Sequence, residues 1–314
     1  MNKKIISIVI PAYNEEKNVE NIYYDIRKFC KNLENKYTLE IIFINDGSLD
    51  ETWEKIKKIS KKDKDVKGIS FSRNFGHQNA LQAGLKDSRG SAVITIDCDL
   101  QHPVELILDL VKNWEDGFKV VNTTRKSTQK ESLIKRLTSN IFYRLINIFS
   151  ETKIEPGSAD FRLLDREVVN ELNKLTEKDI FYRGLVNWVG FKRTQISYSA
   201  KVRLNGKSSY SFKKMLSLAR VGITSFSMLP MKIIVFVGII LFLFGFLILS
   251  IMLYFRIFIN PNLFSGSAIL AAFIIFNNGL IIILIGIISI YQINMIKELK
   301  NRPNYIVEES VNIK

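Results

Sequence analysis

Ile5-Ile6-Ser7-Ile8-Val9-Ile10-Pro11-Ala12-Tyr13-Asn14-Glu15-Glu16 is a short, nearly continuous apolar run that passes at once into a proline and a polar turn. Apolar character at both alternating positions is the pattern of a strand buried on both faces, as in parallel sheets. Three further runs of strand length follow at 39–45, 66–70 and 92–97. Amphipathic helical stretches lie between them, at roughly 15–33, 50–61 and 76–86. The order is βαβαβαβ, which predicts a doubly wound α/β sheet with its ligand site at the carboxyl ends of the strands. No internal repeat or low-complexity segment interrupts it.

The 314 residues allow two structural units at roughly 150 per domain. The 45 Lys and Arg exceed the 31 Asp and Glu, a formal net charge of +14 that points to an anionic partner. With 47% hydrophobic residues the chain is neither disordered nor a disulfide scaffold. Its two cysteines, Cys30 and Cys98, stand far apart in no pairing motif, so reduced thiols are expected. Two histidines, His77 and His102, and no Cys/His cluster argue against a zinc site, and both read as structural or nucleotide-adjacent. Basic runs lack interleaved aromatics, so nucleic acid is not the expected partner.

The apolar excess is concentrated near the C-terminus. Residues 233–255 and 268–290 carry no charge, and each is long enough as a helix to cross a hydrocarbon core of about 30 Å. Asn277 and Asn278 in the second run call for a helix-packing face. Lys213, Lys214, Arg220 and Lys232 precede the first run, and Lys297, Lys300 and Arg302 follow the second. The positive-inside rule therefore predicts a two-span hairpin in the inner (cytoplasmic) membrane with both termini cytoplasmic. The division expected is a catalytic domain at 1–211, a juxtamembrane amphipathic segment at 212–231, the hairpin at 232–296 and a cytoplasmic tail at 297–314. Leu133, Leu137, Ile141, Leu145 and Ile148 recur at helical spacing beside Lys135, Arg136 and Arg144, an interfacial-helix pattern that a core-packed helix shares.

Polar motifs follow the strands. Asn45-Asp46-Gly47-Ser48-Leu49-Asp50-Glu51 succeeds the second, with Ser48 and Glu51 at the spacing of a capping box. The fourth run ends in Asp97-Cys98-Asp99, and two carboxylates at i and i+2 in extended chain point to one side. Hard oxygen ligands of this kind suit Mg²⁺ or Mn²⁺ bridging a diphosphate. Cys98 then points away as buried filler. There is no GxGxxG after the first strand and no P-loop, which disfavours both of those nucleotide sites.

Five spaced motifs together resemble family 2 glycosyltransferases of the polyprenyl-phosphate type, similar to bactoprenol glucosyltransferases and dolichyl-phosphate mannose synthases. They are Val9-Ile10-Pro11-Ala12-Tyr13-Asn14-Glu15-Glu16, Asn45-Asp46-Gly47-Ser48, Ser72-Arg73-Asn74-Phe75-Gly76-His77, Asp97-Cys98-Asp99-Leu100-Gln101-His102-Pro103 and Ser158-Ala159-Asp160-Phe161-Arg162-Leu163-Leu164-Asp165-Arg166. The resemblance implies a GT-A fold and an inverting transfer of one sugar from a nucleotide diphosphate donor, UDP-glucose first, to a polyprenyl phosphate such as undecaprenyl phosphate. It implies that Pro11, Ala12, Tyr13 and Glu15 line the nucleotide pocket and that Asp46 holds the base or ribose. Asp97 and Asp99 would form the metal–diphosphate centre beside Gln101. Asp160 would act as base or position the acceptor, and Arg162 and Arg203 would bind its phosphate. Where the family has Arg-x-x-Gly-Glu-Ser-Lys-Tyr, this chain has Arg203-Leu204-Asn205-Gly206-Lys207-Ser208-Ser209-Tyr210, which leaves Arg203 but puts roles for Lys207 and Ser209 in doubt.

A processive polysaccharide synthase would carry a Gln-x-x-Arg-Trp signature and more spans, and neither is found. A catalytically inactive nucleotide-binding membrane adaptor would be expected to lose the paired carboxylates, which are present. The lipid bilayer is a partner on this reading, a separate flippase and downstream transferase are implied, and homo-oligomerisation is left open.

Overall fold

The structure, a computed structural model, describes residues 3–125, 158–175, 180–198 and 300–313, together with scattered positions between 250 and 299. Chain packing separates two units, one of residues 1–148, 152–221 and 303–314 and one of 149–151 and 222–302.

In the first unit, β1 (Lys4–Ala12), β2 (Tyr37–Asn45), β3 (Val66–Phe71) and β4 (Ala92–Thr95) realise the four expected strands. Helices α1 (Val19–Phe29), α2 (Thr52–Lys62) and α3 (His77–Asp87) connect them. Seven consecutive residues of β1 are buried, as its unbroken apolar run requires. Helix α1 buries Val19, Ile22 and Ile26, one stripe at i, i+3 and i+7, each contributing roughly 1.5–3 kcal/mol of apolar burial. At Gly84 of α3 an added Cβ would lie 2.2 Å from Val9 Cγ1, so glycine is what lets α3 lie close on β1.

The chain continues through α4 (Leu106–Glu115), β5 (Val120–Arg125), β6 (Ser158–Asp165), α5 (Arg166–Lys174), α6 (Tyr182–Trp188) and β7 (Arg193–Tyr198) to β8 (Val307–Val311). One eight-stranded sheet results, in the order β7-β5-β6-β4-β1-β2-β3-β8. The β3-β2-β1-β4 centre is parallel throughout, as is β5 with β7. Strand β6 runs antiparallel to both β4 and β5, and β8 antiparallel to β3. The expected mostly parallel, doubly wound α/β sheet is therefore found.

Three local expectations need correction. The fourth strand ends at Thr95 rather than Asp97, because Asp97 to Leu100 enters a turn with Leu100 at φ +59°. Helix α1 starts at Val19 rather than Glu15, since residues 13–18 form a loop held to the turn after β2. The capping box does not form: α2 begins at Thr52, and its N-cap Glu51 makes no side-chain cap bond. Ser48 instead accepts the Asn14 N–H at 3.0 Å, and Thr52 Oγ1 accepts that of Glu15 at 2.9 Å. The would-be capping hydroxyl of Ser48 is spent, together with that of Thr52, on joining two loops.

Residues 297–314 read only as a tail, yet they supply edge strand β8. Trp53 Nε1 donates to Glu309 at 2.7 Å, Tyr305 stacks on Phe71 with centroids 4.9 Å apart, and Asn312 Nδ2 donates to the Ser60 and Val66 carbonyls.

Among the described residues no helix is long and apolar enough to cross a membrane. The interfacial pattern at 133–148, the segment 212–231, Arg203, Lys207, Ser209 and residues 233–249 of the first apolar run lie outside the described residues. The described positions between 266 and 299 are helical and expose Leu270, Phe273, Ile281, Ile285 and Ile288.

Candidate functional site

The loops after β1, β2 and β3 converge at the carboxyl rim of the sheet. Asn14, at φ +55°, accepts the Leu49 N–H with its side-chain carbonyl at 2.9 Å, and the Asp46 N–H donates to Ala12 O at 2.9 Å. Gly47 sits at φ +66°, and a Cβ there would come within 2.2 Å of the Arg73 carbonyl carbon. Glycine is thus required both for the turn and for the approach of the β3 loop. Pro11 and Ala12 are buried under this junction, Glu15 is half-buried and Tyr13 is exposed. The sequence-expected nucleotide residues are therefore together.

Asp46 is buried and accepts the Phe75 N–H at 2.7 Å and the Gly76 N–H at 3.0 Å. Burial raises its pKa in spite of those amides. Its carboxylate is thereby aimed by backbone groups of the Ser72–His77 motif.

Next along the rim, past β4, comes the acidic motif. Asp99 Oδ1 accepts the Gln101 N–H at 3.1 Å, so this carboxylate closes its own turn rather than extending from a strand. Cys98 is buried in the core, although within a turn rather than by strand alternation. Asp97 Oδ2 lies 3.0 Å from His102 Nε2, and His102 Nδ1 lies 2.6 Å from the Tyr198 hydroxyl. Burial raises the Asp97 pKa, but His102 and His77 outweigh it and leave the carboxyl below its ordinary value. His102 thus links the acid to Tyr198 of β7.

The third group belongs to β6. Asp160 is buried, and its backbone carbonyl accepts from Thr95 Oγ1 across the β4–β6 pairing. Its carboxylate meets Arg162 Nη2 at 3.1 Å, and Arg183 by two bonds, Nε to Oδ1 at 3.1 Å and Nη2 to Oδ2 at 2.9 Å. His77 Nε2 stands between the acids, 3.5 Å from Asp97 and 3.6 Å from Asp160. Burial pushes the Asp160 pKa up, but Arg183, His77 and Arg162 overcome it and hold the carboxyl well below the usual range. An ion so well paired is a poor proton acceptor and a good electrostatic anchor.

Arg183 and the bridging place of His77 were not foreseen. The available signal for Arg183 is that it is the only charge between Asp179 and Lys192. Nothing local marks Tyr198.

Among the described residues no three His, Cys, Asp or Glu side chains form a metal cluster by themselves. Asp97 and Asp99 nevertheless fit a hard divalent cation: both offer carboxylate oxygens, and Mg²⁺ ordinarily combines one or two carboxylates with phosphate oxygens and water.

Residues 7–172 match the family model Glycosyl transferase family 2. The chain belongs to that family. It is a glycosyltransferase. It is 40% identical over 307 residues to YkcC of Bacillus subtilis (strain 168), an uncharacterized glycosyltransferase, covering 98% of this chain and 94% of that protein. It is 38% identical over 310 residues to the SfII prophage-derived bactoprenol glucosyl transferase of Shigella flexneri, covering 97% and 98% of the two chains. Among solved structures it is similar to mannosyl-3-phosphoglycerate synthase from Rubrobacter xylanophilus, with TM-score 0.50, 14% identity and coverage of 70% and 72%. The fold of this family 2 enzyme is accordingly GT-A.

Proposed function

We propose that this family 2 enzyme moves one sugar, glucose from UDP-glucose first, onto a polyprenyl phosphate such as undecaprenyl phosphate. The observation that carries this reading is the Asp97–His77–Asp160–Arg162–Arg183 cluster, a cation-bearing rim beside the nucleotide loops. Near-complete alignment with a bactoprenol glucosyl transferase supports a polyprenol-linked acceptor.

A phosphate monoester has a second pKa near about 6, so at neutral pH the lipid phosphate is mostly dianionic and needs little help losing a proton. One of its oxygens bonds to the anomeric carbon, the bond from that carbon to the diphosphate oxygen breaks, and the nucleoside diphosphate leaves with the electron pair. Asp97 and Asp99 would hold Mg²⁺ or Mn²⁺, which when bound neutralises charge on the leaving group. Asp46 and the β1 loop hold the nucleoside. Asp160 orients the cations beside it, and inversion follows from direct displacement.

The acceptor's tail stays in the bilayer, so the two apolar runs serve as a membrane hairpin at the cytoplasmic face. Pairing of β8 with β3 supports this arrangement, because a strand following both runs joins the sheet that precedes them. Both ends of the hairpin then lie on one side, which requires an even number of crossings. A separate flippase and a downstream transferase would use the product.

The test is purified full-length protein incubated with polyprenyl phosphate, Mg²⁺ or Mn²⁺ and a panel of nucleotide sugars, with mass spectrometry of the lipid fraction. One added hexose on the lipid is expected. Free sugar without glycolipid overturns the assigned acceptor.

A further inference from the structure

We propose that Arg183 is the ligand for the acceptor's phosphate, with Asp160 as the counter-ion it exchanges for that phosphate. The proposal rests on the polyprenyl-phosphate reading above and deepens it.

Charge is the first argument. One carboxylate, Asp160, is shared by the guanidinium groups of Arg162 and Arg183, with His77 Nε2 3.6 Å from the same acid. A phosphate dianion offers these clustered cations a second anionic acceptor, whereas a neutral ligand offers none.

Access is the second. The side chains of Arg162 and Asp160 are 4% and 8% exposed, while that of Arg183 is 22% exposed. Arg162 is further tied to the Ala159 carbonyl at 2.9 Å. Of the two guanidinium groups, Arg183 is the one a ligand can reach. It now grips both oxygens of Asp160, and the same planar fork fits two oxygens of a phosphate.

Position is the third. Along the rim the nucleoside loops follow β1, β2 and β3, the acidic motif follows β4, and Asp160 lies on β6, on the far side of β4 from β1. A donor laid with its base over the first loops and its diphosphate at the acidic motif points its sugar toward β6. An anion attacking that sugar from beyond meets Arg183.

The experiment measures equilibrium binding of a short-chain polyprenyl monophosphate in detergent micelles, and of UDP, to the full-length protein. Arg183→Ala is expected to weaken the monophosphate at least about tenfold while leaving UDP affinity within about twofold. Arg183→Lys, which keeps charge but loses the fork, is expected to fall between. In turnover assays the loss should appear in the acceptor's KM rather than in kcat. Retained UDP binding reports a folded site, and if the alanine variant does not fold, Arg183→Gln is read by the same criteria. Unchanged monophosphate affinity overturns the proposal, and so does a parallel loss of UDP, which would assign Arg183 to the donor. Wild-type protein that binds the monophosphate through Arg183 yet forms no glycolipid overturns the transfer reaction and leaves this ligand standing. Wild-type protein that does not bind it overturns both.

Discussion

The hydroxyl of Tyr198 lies 2.6 Å from Nδ1 of His102, and the other ring nitrogen lies 3.0 Å from Asp97. An ionised Asp97 only accepts, so His102 donates to it from Nε2, while the Tyr198 hydroxyl pairs with Nδ1 on the other side of the ring. Strand β7 thereby fixes the orientation of an acid on the β4 loop. Tyr198→Phe should raise the metal concentration needed for half-maximal activity by about tenfold, the low end for loss of such a supporting bond, with kcat at saturating metal little changed. Metal titration of turnover checks this.

Asp160 is the carboxylate shared by two arginines, one of them buried. Asp160→Asn leaves those cations uncompensated and should cost about 3–5 kcal/mol of stability, together with a turnover loss on the order of 100-fold. Because the native carboxyl titrates far below neutrality, wild-type activity should show no ionisation of Asp160 between pH 6 and 8. Near-full turnover by the variant at pH 7 and saturating metal would remove Asp160 from the mechanism.

Gly47→Ala places a methyl group 2.2 Å from the Arg73 backbone at a positive φ. The expected cost is at least about 1–3 kcal/mol, with weaker UDP binding because the β2 and β3 loops are forced apart. Urea denaturation and nucleotide titration on the same preparation measure both effects.

Asp63 accepts from Tyr23 at 2.9 Å and from Arg27 Nη2 at 2.7 Å, joining α1 to the end of α2. Burial raises its pKa, but these two partners prevail and the carboxyl lies below its ordinary value. A depressed native pKa gives stability that is complete above the unfolded value of about 3.9 and is lost as pH falls through the native value. Asp63→Asn should therefore be less stable than wild type at pH 7, and the gap should narrow below about pH 4. Denaturation midpoints at pH 7 and pH 3 would expose an error, since an equal gap at both excludes the ion pair as its cause.

Strand β8 commits the chain's last residues to the compartment of its first strand. The native cysteines are buried, so single cysteines introduced by Lys4→Cys and Glu308→Cys report topology cleanly. In intact cells an impermeant maleimide should label neither, and after permeabilisation it should label both. Labelling of Glu308→Cys alone in intact cells would contradict the pairing and the even number of crossings.

The first four strands and the helices between them were legible because each is written locally. A strand buried on both faces must be apolar at every position, and a packed helix must repeat its apolar residues every three or four. The loop residues Tyr13, Asp46, Asp97 and Asp99 could be placed at the rim for the same reason. Tertiary structure decided what local pattern does not encode. Asp160 and Arg183 are 23 residues apart, and His102 and Tyr198 are 96 apart. Strand β8 returns to β3 from the far end of the chain. Ser48 and Glu51 had the look of a capping pair until a second loop competed for Ser48. Such pairings depend on which elements the folded sheet makes neighbours, and a polar side chain takes the partner that burial leaves within reach rather than the one nearest in sequence.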